Sequence, residues 1–172
     1  NEPIVTCDEN TISVADKVIF PGVGEAATTM KFLKERGMDK LIKSLKQPVL
    51  GICLGMQLMC KRSEEGDVEC LNIFDVEVKK FVAQQQNEKI PHMGWNQIYA
   101  LKSGLFLSTT ENQFVYFVHS YYVPLCENTI ATVDYIYPFS AALKKDNFYA
   151  TQFHPEKSGD VGEQILRNFI DL

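Results

Sequence analysis

One cysteine stands in a setting that suits a nucleophile. In 51-GICLGMQ-57, Cys53 has a glycine two residues before it and another two residues after it, and it follows the apolar run 48-PVL-50. A nucleophile elbow is a strand–turn–helix corner so tight that these neighbours must be small. The start of a helix also favours negative charge, which predicts a lowered thiol pKa. These residues alone leave a second interpretation open, a buried cysteine beside two incidental glycines.

A histidine and a carboxylate that suit a cysteine nucleophile occur about a hundred residues later, in 153-FHPEKS-158. A nucleophilic cysteine needs a base, and the base needs an acid that orients it. In an extended segment, residues two apart project to the same side, so we expect His154 and Glu156 to face one cleft. Pro155 restricts His154 to extended geometry. A lone histidine near a strand end is often structural, but combined with Cys53 the pair favours catalysis.

The other histidines and cysteines are weaker candidates for chemistry. Neither His92 nor His119 has an acid two residues on, so both are poorer bases than His154. The five cysteines are odd in number and none are paired as Cys-x-x-Cys. This pattern indicates neither a disulfide framework nor a zinc site, and we expect no metal or cofactor. It favours a reducing, cytoplasmic location.

The composition limits the classes of function. The chain has 172 residues, 45% of them hydrophobic and 23% charged, which is typical of one globular domain covering residues 1–172. Its net charge of −5 offers no basic field for nucleic acid or anionic lipid. No apolar run approaches the roughly 20 residues that a membrane span needs. We therefore expect neither a nucleic acid nor a membrane partner.

The hydrophobic pattern predicts the elements that must position these residues. Strands are predicted at 17–20 and 49–52, with a helical stretch from Glu25 to about Leu45 that breaks at Gly37, and a second helix after Cys53 that fades at 63–66. Alternating strands and helices indicate an α/β fold with a parallel sheet. The second half is richer in strands. Its predicted elements are strands in 74–81, 113–123 and 129–136, a hairpin of 139–145 and 147–154, and a final helix capped by Ser158 or Asp160 that buries Ile165, Leu166, Phe169 and Ile170.

Together, 51-GICLGMQ-57 and 152-QFHPEKS-158 closely resemble the motifs of the class I (triad) glutamine amidotransferases. The resemblance implies a flavodoxin-like three-layer α/β sandwich with a mixed, mostly parallel central sheet. It also implies that Cys53 attacks the side-chain amide of L-glutamine, forming a thioester and releasing ammonia. His154 would be the general base and acid, and Glu156 would orient its imidazole.

The same resemblance implies roles for residues around the triad. Four residues would bind the substrate: Gln57, Glu65, Ser120 and Tyr121. Gln57 would contact the α-carboxylate or the α-amino end of glutamine, and Glu65 would face the ammonium. By its position alone, Glu65 favours the other interpretation, an ordinary solvated helix end. Ser120 and Tyr121 would contact the substrate through backbone groups and the ring.

The oxyanion hole implied by the resemblance is formed by amides of Gly22, Val23 and Leu54. Many members of the class have adjacent glycines where this chain has Val23. A valine resists the positive φ that would aim an amide into the hole. We therefore expect low glutaminase activity in the isolated chain.

Three further segments, 19–30, 90–98 and 118–123, resemble the glutaminase subunits of imidazole glycerol phosphate synthase. That resemblance implies a heterodimer with a (β/α)8-barrel cyclase subunit, HisF. There ammonia and phosphoribulosyl formimino carboxamide ribotide (PRFAR) give imidazole glycerol phosphate and AICAR in histidine biosynthesis. Trp95 would be an interface anchor, with a core position as the alternative, and Lys157 would lie on the same face.

Three other functions remain possible at this stage. They are a glutaminase serving another synthase, such as one of the pyridoxal phosphate or GMP pathways, a cysteine peptidase with the same elbow, and a regulatory subunit with a vestigial site. Similar proteins also have a strand and a helix before the region that matches 16–22. We expect that such a segment precedes Asn1 and is missing from this sequence, and that a chain beginning there is poorly soluble or unstable.

Overall fold

The structure is a computed structural model that describes residues 2–109 and 111–172; Asn1 and Thr110 lie outside the described residues. The helices are α1 Glu9–Ser13, α2 Ala26–Glu35, α3 Met38–Ser44, α4 Leu54–Met59 and α5 Gly159–Asp171. The strands are β1 Val18–Gly22, β2 Val49–Cys53, β3 Cys60–Ser63, β4 Val68–Glu69, β5 Phe74–Lys80, β6 His92–Tyr99, β7 Gln113–His119, β8 Tyr121–Tyr122, β9 Thr129–Asp134, β10 Pro138–Lys145 and β11 Phe148–Thr151. Short 3-10 helices span Gly104–Phe106 and Pro155–Lys157.

The central sheet is mixed, and its strand order in the described residues is β1-β2-β11-β10-β9-β6-β7. β1, β2 and β11 are parallel, whereas every later neighbour pairs antiparallel. Five of the seven strands (β1, β2, β11, β9 and β7) therefore point the same way, and this confirms the predicted mixed, mostly parallel sheet. A second sheet has the order β4-β3-β5-β8.

Residues on the two faces of the sheet pack into two separate cores. Along β2, Val49 belongs to the core under α2, α3 and α4, and its neighbour Leu50 belongs to the core under α5. This alternation follows from the two-residue period of a strand. Because β2 and β11 are covered on both faces, nearly every residue in them is buried. The result is the predicted three-layer sandwich.

The direction of the strands determines where a site can form. β1 ends at Gly22, β2 at Cys53, β7 at His119 and β11 at Thr151. Because all four strands point the same way, their carboxyl ends meet at one edge of the sheet. In open α/β sheets this edge is where ligands bind.

Most predicted elements are present, including the break between α2 and α3, where Gly37 adopts φ 68°. One expectation was wrong: the helix after Cys53 does not continue to 63–66 but ends at Met59. All six α4 residues are buried. The chain then leaves the helix at Cys60 and forms β3, which pairs with β5.

The C-terminal helix differs from its prediction in detail. Ser158 is its N-cap residue, although its side chain makes no capping hydrogen bond. Ile165 and Phe169 are buried as expected, but Ile170 is 54% exposed. One residue beyond Phe169 turns the side chain by about 100°, which carries Ile170 off the buried face. Asn168 is buried instead, and its amide donates to the carbonyl oxygens of Leu105 and Leu107.

The segment around Trp95, for which no strand was predicted, is part of strand β6. In the described part of the chain, no helix is both long and apolar enough to span a bilayer.

Candidate active site

The corner between β2 and α4 has the geometry of a nucleophile elbow. Cys53 adopts φ 53° and ψ −108°, a strained conformation for a residue with a side chain. A Cβ placed on Gly55 would lie 2.0 Å from the carbonyl oxygen of Phe20, and one on Gly51 would lie 3.0 Å from the Gly55 backbone. Both glycines are therefore required by close packing, and of the two interpretations the elbow is the one that the geometry supports.

The Cys53 thiol is in a largely apolar environment. Its pKa is raised to about 11, mainly by burial; the Leu54 N–H and Lys157 oppose this shift, whereas Glu156 and Glu65 contribute to it. The expectation that the helix N-terminus lowers this pKa was wrong. α4 has only six residues, and the loss of water around the sulfur outweighs the single amide that faces it. At neutral pH the resting sulfur is a thiol, so its reaction needs a base.

His154 is held in the tautomer that a base requires. Its Nδ1 lies 2.7 Å from Glu156 Oε1, and because a carboxylate only accepts, Nδ1 carries the proton. In the neutral ring, Nε2 then has a free lone pair. It is buried and has no hydrogen-bond partner among the described residues. The backbone is fixed as well, since the His154 N–H donates to the Tyr116 carbonyl (2.9 Å) and the Ser158 hydroxyl donates to the His154 carbonyl (2.6 Å).

The local backbone structure that brings His154 and Glu156 together differs from the expected extended segment. His154 is extended, but Pro155–Lys157 forms a 3-10 turn rather than continuing the strand. Pro155 occupies the first position of that turn, where its missing N–H leaves no bond unmade. The turn, not an extended segment, brings the carboxylate of Glu156 back to the imidazole.

Gly162 is a positioning residue that the sequence analysis missed. A Cβ at this position in α5 would lie 1.9 Å from the carbonyl oxygen of Pro155. Its absence lets α5 pack directly against the turn that carries Glu156. A glycine inside an otherwise amphipathic helix was the available signal, because glycine weakens a helix interior unless close packing requires it.

A cavity of about 200 Å³ opens beside the Cys53 sulfur. It brings together the predicted substrate residues with the elbow; its lining is Gly24, Cys53, Leu54, Gln57, Glu65, Val118, His119, Ser120 and Tyr121. In the oxyanion loop it is Gly24, with φ 102°, that lines the cavity, rather than the predicted Gly22 or Val23. The Val23 side chain is 88% exposed, and its φ is not positive.

Glu65 lies in the turn after β3, not at a solvated helix end, so that interpretation was wrong. It is partly buried, and its Oε2 accepts a hydrogen bond from the Ala26 N–H at 2.9 Å. Burial raises the pKa of its carboxyl, against the lowering effect of that N–H, and Glu25 raises it further. This hydrogen bond holds a carboxylate at the wall of the cavity.

His92 and His119 form a buried pair rather than a base. His119 Nδ1 donates to the Tyr121 carbonyl at 2.7 Å, so its Nε2 accepts from His92 Nδ1 at 3.0 Å. Asn96 Nδ2 lies 3.3 Å from the remaining His92 nitrogen. Burial lowers the pKa of His119 to about 3 and that of His92 to about 4. Both rings are therefore neutral at physiological pH, with their nitrogens engaged.

Trp95 and Lys157 are at the surface. Trp95 is 55% exposed, so the core alternative was wrong. Its ring meets that of Tyr116 edge-on, with 6.0 Å between centroids. Lys157 is exposed beside Glu156. Within residues 2–109 and 111–172, no cluster of three or more His, Cys, Asp or Glu side chains is arranged to hold a metal ion.

Comparison with solved structures supports the fold. A crystal structure described as a glutamine amidotransferase superposes with a TM-score of 0.70 at 17% identity, covering 96% of this chain and 83% of that one. A putative GMP synthase component from Thermoplasma acidophilum gives 0.68 at 22% identity, covering 96% and 76%. At these identities the likeness is one of fold alone.

Comparison with sequences is more specific. The model of the family described as glutamine amidotransferase class-I matches residues 2–172. The imidazole glycerol phosphate synthase subunit HisH of Bacteroides thetaiotaomicron is 67% identical over 171 residues, covering 99% of this chain and 87% of that protein. The HisH subunit of Escherichia coli K12 is 46% identical over 173 residues, with the same coverage. The chain thus belongs to the class-I glutamine amidotransferase family and, within it, to the HisH group.

Proposed function

We propose that this chain is the glutaminase subunit of an imidazole glycerol phosphate synthase and that it hydrolyses L-glutamine through Cys53, His154 and Glu156. The observation that carries the triad is the buried, unpartnered Nε2 of His154, whose other nitrogen is bonded to Glu156 at the sheet edge where β2 presents Cys53. A base with a free lone pair, oriented by a carboxylate, is what a protonated thiol needs.

The reaction follows from these positions. His154 Nε2 takes the proton of Cys53 as the sulfur attacks the carboxamide carbon of glutamine. The oxyanion is stabilised by the Leu54 N–H and by an amide of the loop 22–24, in which Gly24 lines the cavity and the amide of Gly22 or Val23 would have to turn toward it. The imidazolium, held by Glu156, then protonates the leaving ammonia. Water attacks the γ-glutamyl thioester with His154 again as base, and glutamate is released.

The hydrogen bonds of Gln57 indicate which end of the substrate it contacts. Its Nε2 donates to the Tyr121 carbonyl at 3.0 Å and to Gln152 Oε1 at 2.9 Å, which uses both amide hydrogens. Only Oε1 remains for a ligand, and it can only accept. Gln57 therefore contacts the α-ammonium rather than the α-carboxylate. Glu65 supplies the negative charge for the same ammonium, and Ser120 and Tyr121 contribute backbone groups at the cavity wall.

The chain acts as one amidotransferase domain, residues 1–172, that passes ammonia to the cyclase subunit HisF. That subunit converts PRFAR to imidazole glycerol phosphate and AICAR in the cytoplasm, and neither nucleic acid nor a membrane takes part. The HisH names of relatives at 46–67% identity support this assignment. A glutaminase of the pyridoxal phosphate or GMP pathway is less well supported, since the GMP synthase neighbour shares only the fold.

Trp95 and Lys157 belong to the surface that meets the cyclase subunit. Trp95 faces Tyr116 across the β6–β7 pair. The backbone of Tyr116 accepts from the His154 N–H, and its own N–H donates to the Ser158 hydroxyl. His154 and Ser158 flank the turn that carries Lys157. The exposed Trp95 and Lys157 are thus connected through the backbone contacts that hold His154. A partner bound to both side chains would cover the triad.

Replacing Trp95 with alanine should weaken binding to the cyclase partner by about tenfold or more, because a buried aromatic anchor contributes roughly 2 kcal/mol or more to an interface. Loss of an exposed side chain should change the free energy of unfolding by only about 0.5 kcal/mol. Titration calorimetry and thermal unfolding would measure the two effects.

Ile170→Ala is the matched control for Trp95. Ile170 is 54% exposed and lies at the end of α5 far from the triad, roughly 15 Å from its start. We expect this variant to bind normally. Unchanged binding in Trp95→Ala, or equal weakening in both variants, would exclude Trp95 as an anchor.

A glutaminase assay of the chain alone, with HisF, and with HisF plus PRFAR tests the proposed function. We expect slow hydrolysis by the isolated chain because Val23 resists the positive φ that its amide needs in order to face the oxyanion. The rate should rise by at least about a hundredfold in the liganded complex, the range that one oxyanion donor contributes. Equal rates in all three samples would contradict this gating, and no hydrolysis in any sample would contradict the function.

A further inference from the structure

A second glutamine beside Cys53 has no role in the triad or in the predicted substrate contacts. Gln152 follows the end of β11 and is fully buried. Its Nε2 lies 3.8 Å from the Cys53 sulfur, within the range of a hydrogen bond to sulfur. A buried amide must find partners inside the protein, because leaving it unpaired costs about 1–3 kcal/mol. The contacts of this amide are therefore part of how the site is built.

One backbone carbonyl determines which way the Gln152 amide points. The Tyr121 oxygen only accepts, so the Gln57 atom that faces it must be Nε2. The same Nε2 faces Gln152 and needs an acceptor there, which assigns Oε1 of Gln152 to that contact at 2.9 Å. The remaining Gln152 atom, the one that faces Cys53, is then the N–H donor. The orientation thus follows from hydrogen-bond chemistry.

The carbonyl that begins this chain of contacts is itself held in place. Tyr121 O accepts from His119 Nδ1, and His119 is bonded to His92 behind it. Both rings are neutral, so the polarity of these bonds does not reverse at physiological pH. The donor of Gln152 is thereby supported by a buried network that reaches from β6 to the cysteine.

The Cys53 sulfur has two polar contacts, one of which favours the thiol and the other the thiolate. At 3.9 Å the Val118 carbonyl accepts the S–H hydrogen, which favours the thiol. When the proton leaves, that contact becomes a repulsion between sulfur and oxygen. The Gln152 N–H, in contrast, becomes a charge-assisted hydrogen bond, which is roughly twice as strong as a neutral one. As His154 removes the proton, the contact of the sulfur with Val118 becomes unfavourable and its contact with Gln152 becomes more favourable.

We propose that Gln152 is a catalytic residue whose side-chain N–H donates to the Cys53 sulfur and stabilises the thiolate during attack on the substrate. The inference rests on the proposed glutaminase function and adds a hydrogen-bond donor to the proposed active site. No bond is made or broken at Gln152. The same amide holds Gln57, so Gln152 also joins the nucleophile to the α-ammonium site.

The test is the rate at which iodoacetamide alkylates Cys53 in the purified chain between pH 7 and 11, followed by peptide mass spectrometry. Gln152→Met keeps the length of the side chain without a donor, and Gln152→Glu keeps the acceptor for Gln57 but replaces the donor with a carboxylate. Exposed Cys7 is the internal reference in each sample. Thr151→Val is the matched control, since Thr151 is equally buried and its hydroxyl donates to the Phe153 carbonyl.

We expect iodoacetamide to alkylate Cys53 about tenfold more slowly at pH 8 in both Gln152 variants, with the rising part of the pH profile displaced upward by about one pH unit. Cys7 and the Thr151→Val control should be unchanged. In the complex with HisF and PRFAR, kcat should fall about tenfold or more with a smaller change in KM.

A merely structural role for Gln152 would lower activity without moving the alkylation profile of Cys53. A profile in either variant that superposes on that of the wild type overturns the proposal, even if kcat falls. If Gln152→Met does not fold, Gln152→Leu takes its place, because it also removes the donor without adding a charge; a carboxylate at this position would by itself raise the pKa of Cys53. The alkylation profile does not depend on turnover, so absence of glutaminase activity in the wild type would contradict the proposed function separately.

Discussion

The Cys53→Ala variant, bound to HisF and PRFAR, should hydrolyse glutamine roughly 10⁴-fold or more slowly than the wild type, because removal of a triad nucleophile leaves only binding and the oxyanion hole. Synthesis of imidazole glycerol phosphate from added ammonia should continue, since the proposed function assigns that reaction to the cyclase subunit. Measuring both reactions on the same complex separates loss of the nucleophile from loss of assembly.

Cys70→Ala is the control for this variant. Cys70 is also partly buried and its pKa is likewise raised to about 11, but it has no elbow and no paired histidine. Its replacement should leave glutamine-dependent synthesis intact. If Cys53→Ala kept more than about 1% of the wild-type rate, the assignment of the nucleophile would be wrong. Trapping of Cys53 by a reactive glutamine analogue, rather than by a peptide analogue, would exclude the peptidase alternative.

Gly55→Ala should destabilise the fold by about 4 kcal/mol or more, among the largest effects of a single substitution. The new Cβ would lie 2.0 Å from the Phe20 carbonyl oxygen, and neither partner is a flexible side chain that could move away. β1 and α4 would have to separate, which would move the start of the helix away from Cys53. Denaturant unfolding would measure the loss of stability, and the glutaminase assay the loss of activity.

Gly104→Ala is the comparison for Gly55→Ala. A Cβ at Gly104 would meet only the end of the Leu172 side chain, at 3.3 Å. That variant should unfold within about 0.5 kcal/mol of the wild type. A Gly55→Ala protein with wild-type stability would show that the close approach of strand and helix at the elbow is not required.

Much of the fold was predictable because its signals are local. The break at Gly37, the strand that ends at Cys53 and the hairpin of β10 and β11 each follow from the pattern of a few neighbouring residues. The end of α4 at Met59 was not, because its residues are buried on every side and the pairing of β3 with β5 stops the helix. Such pairing depends on a strand a dozen residues away.

For the candidate site, the sequence by itself determined which residues are proposed as the nucleophile, the base and its acid. The spacing of Gly51, Cys53 and Gly55 and the pair His154 and Glu156 are short patterns, each imposed by chemistry within one turn of chain. These combinations of residue types are restrictive enough to predict a catalytic triad, and the resemblance of both motifs to those of the amidotransferases predicted the reaction.

The tertiary structure alone decided how those residues behave. The pKa of Cys53 is raised because segments distant in sequence remove water from the sulfur, which outweighs the local effect of the helix. The turn that carries Glu156 packs closely against Gly162. The orientation of the Gln152 amide is determined by the Tyr121 carbonyl, about thirty residues away along the chain. The burial of a group and the direction of its hydrogen bonds depend on neighbours that only the folded chain brings together.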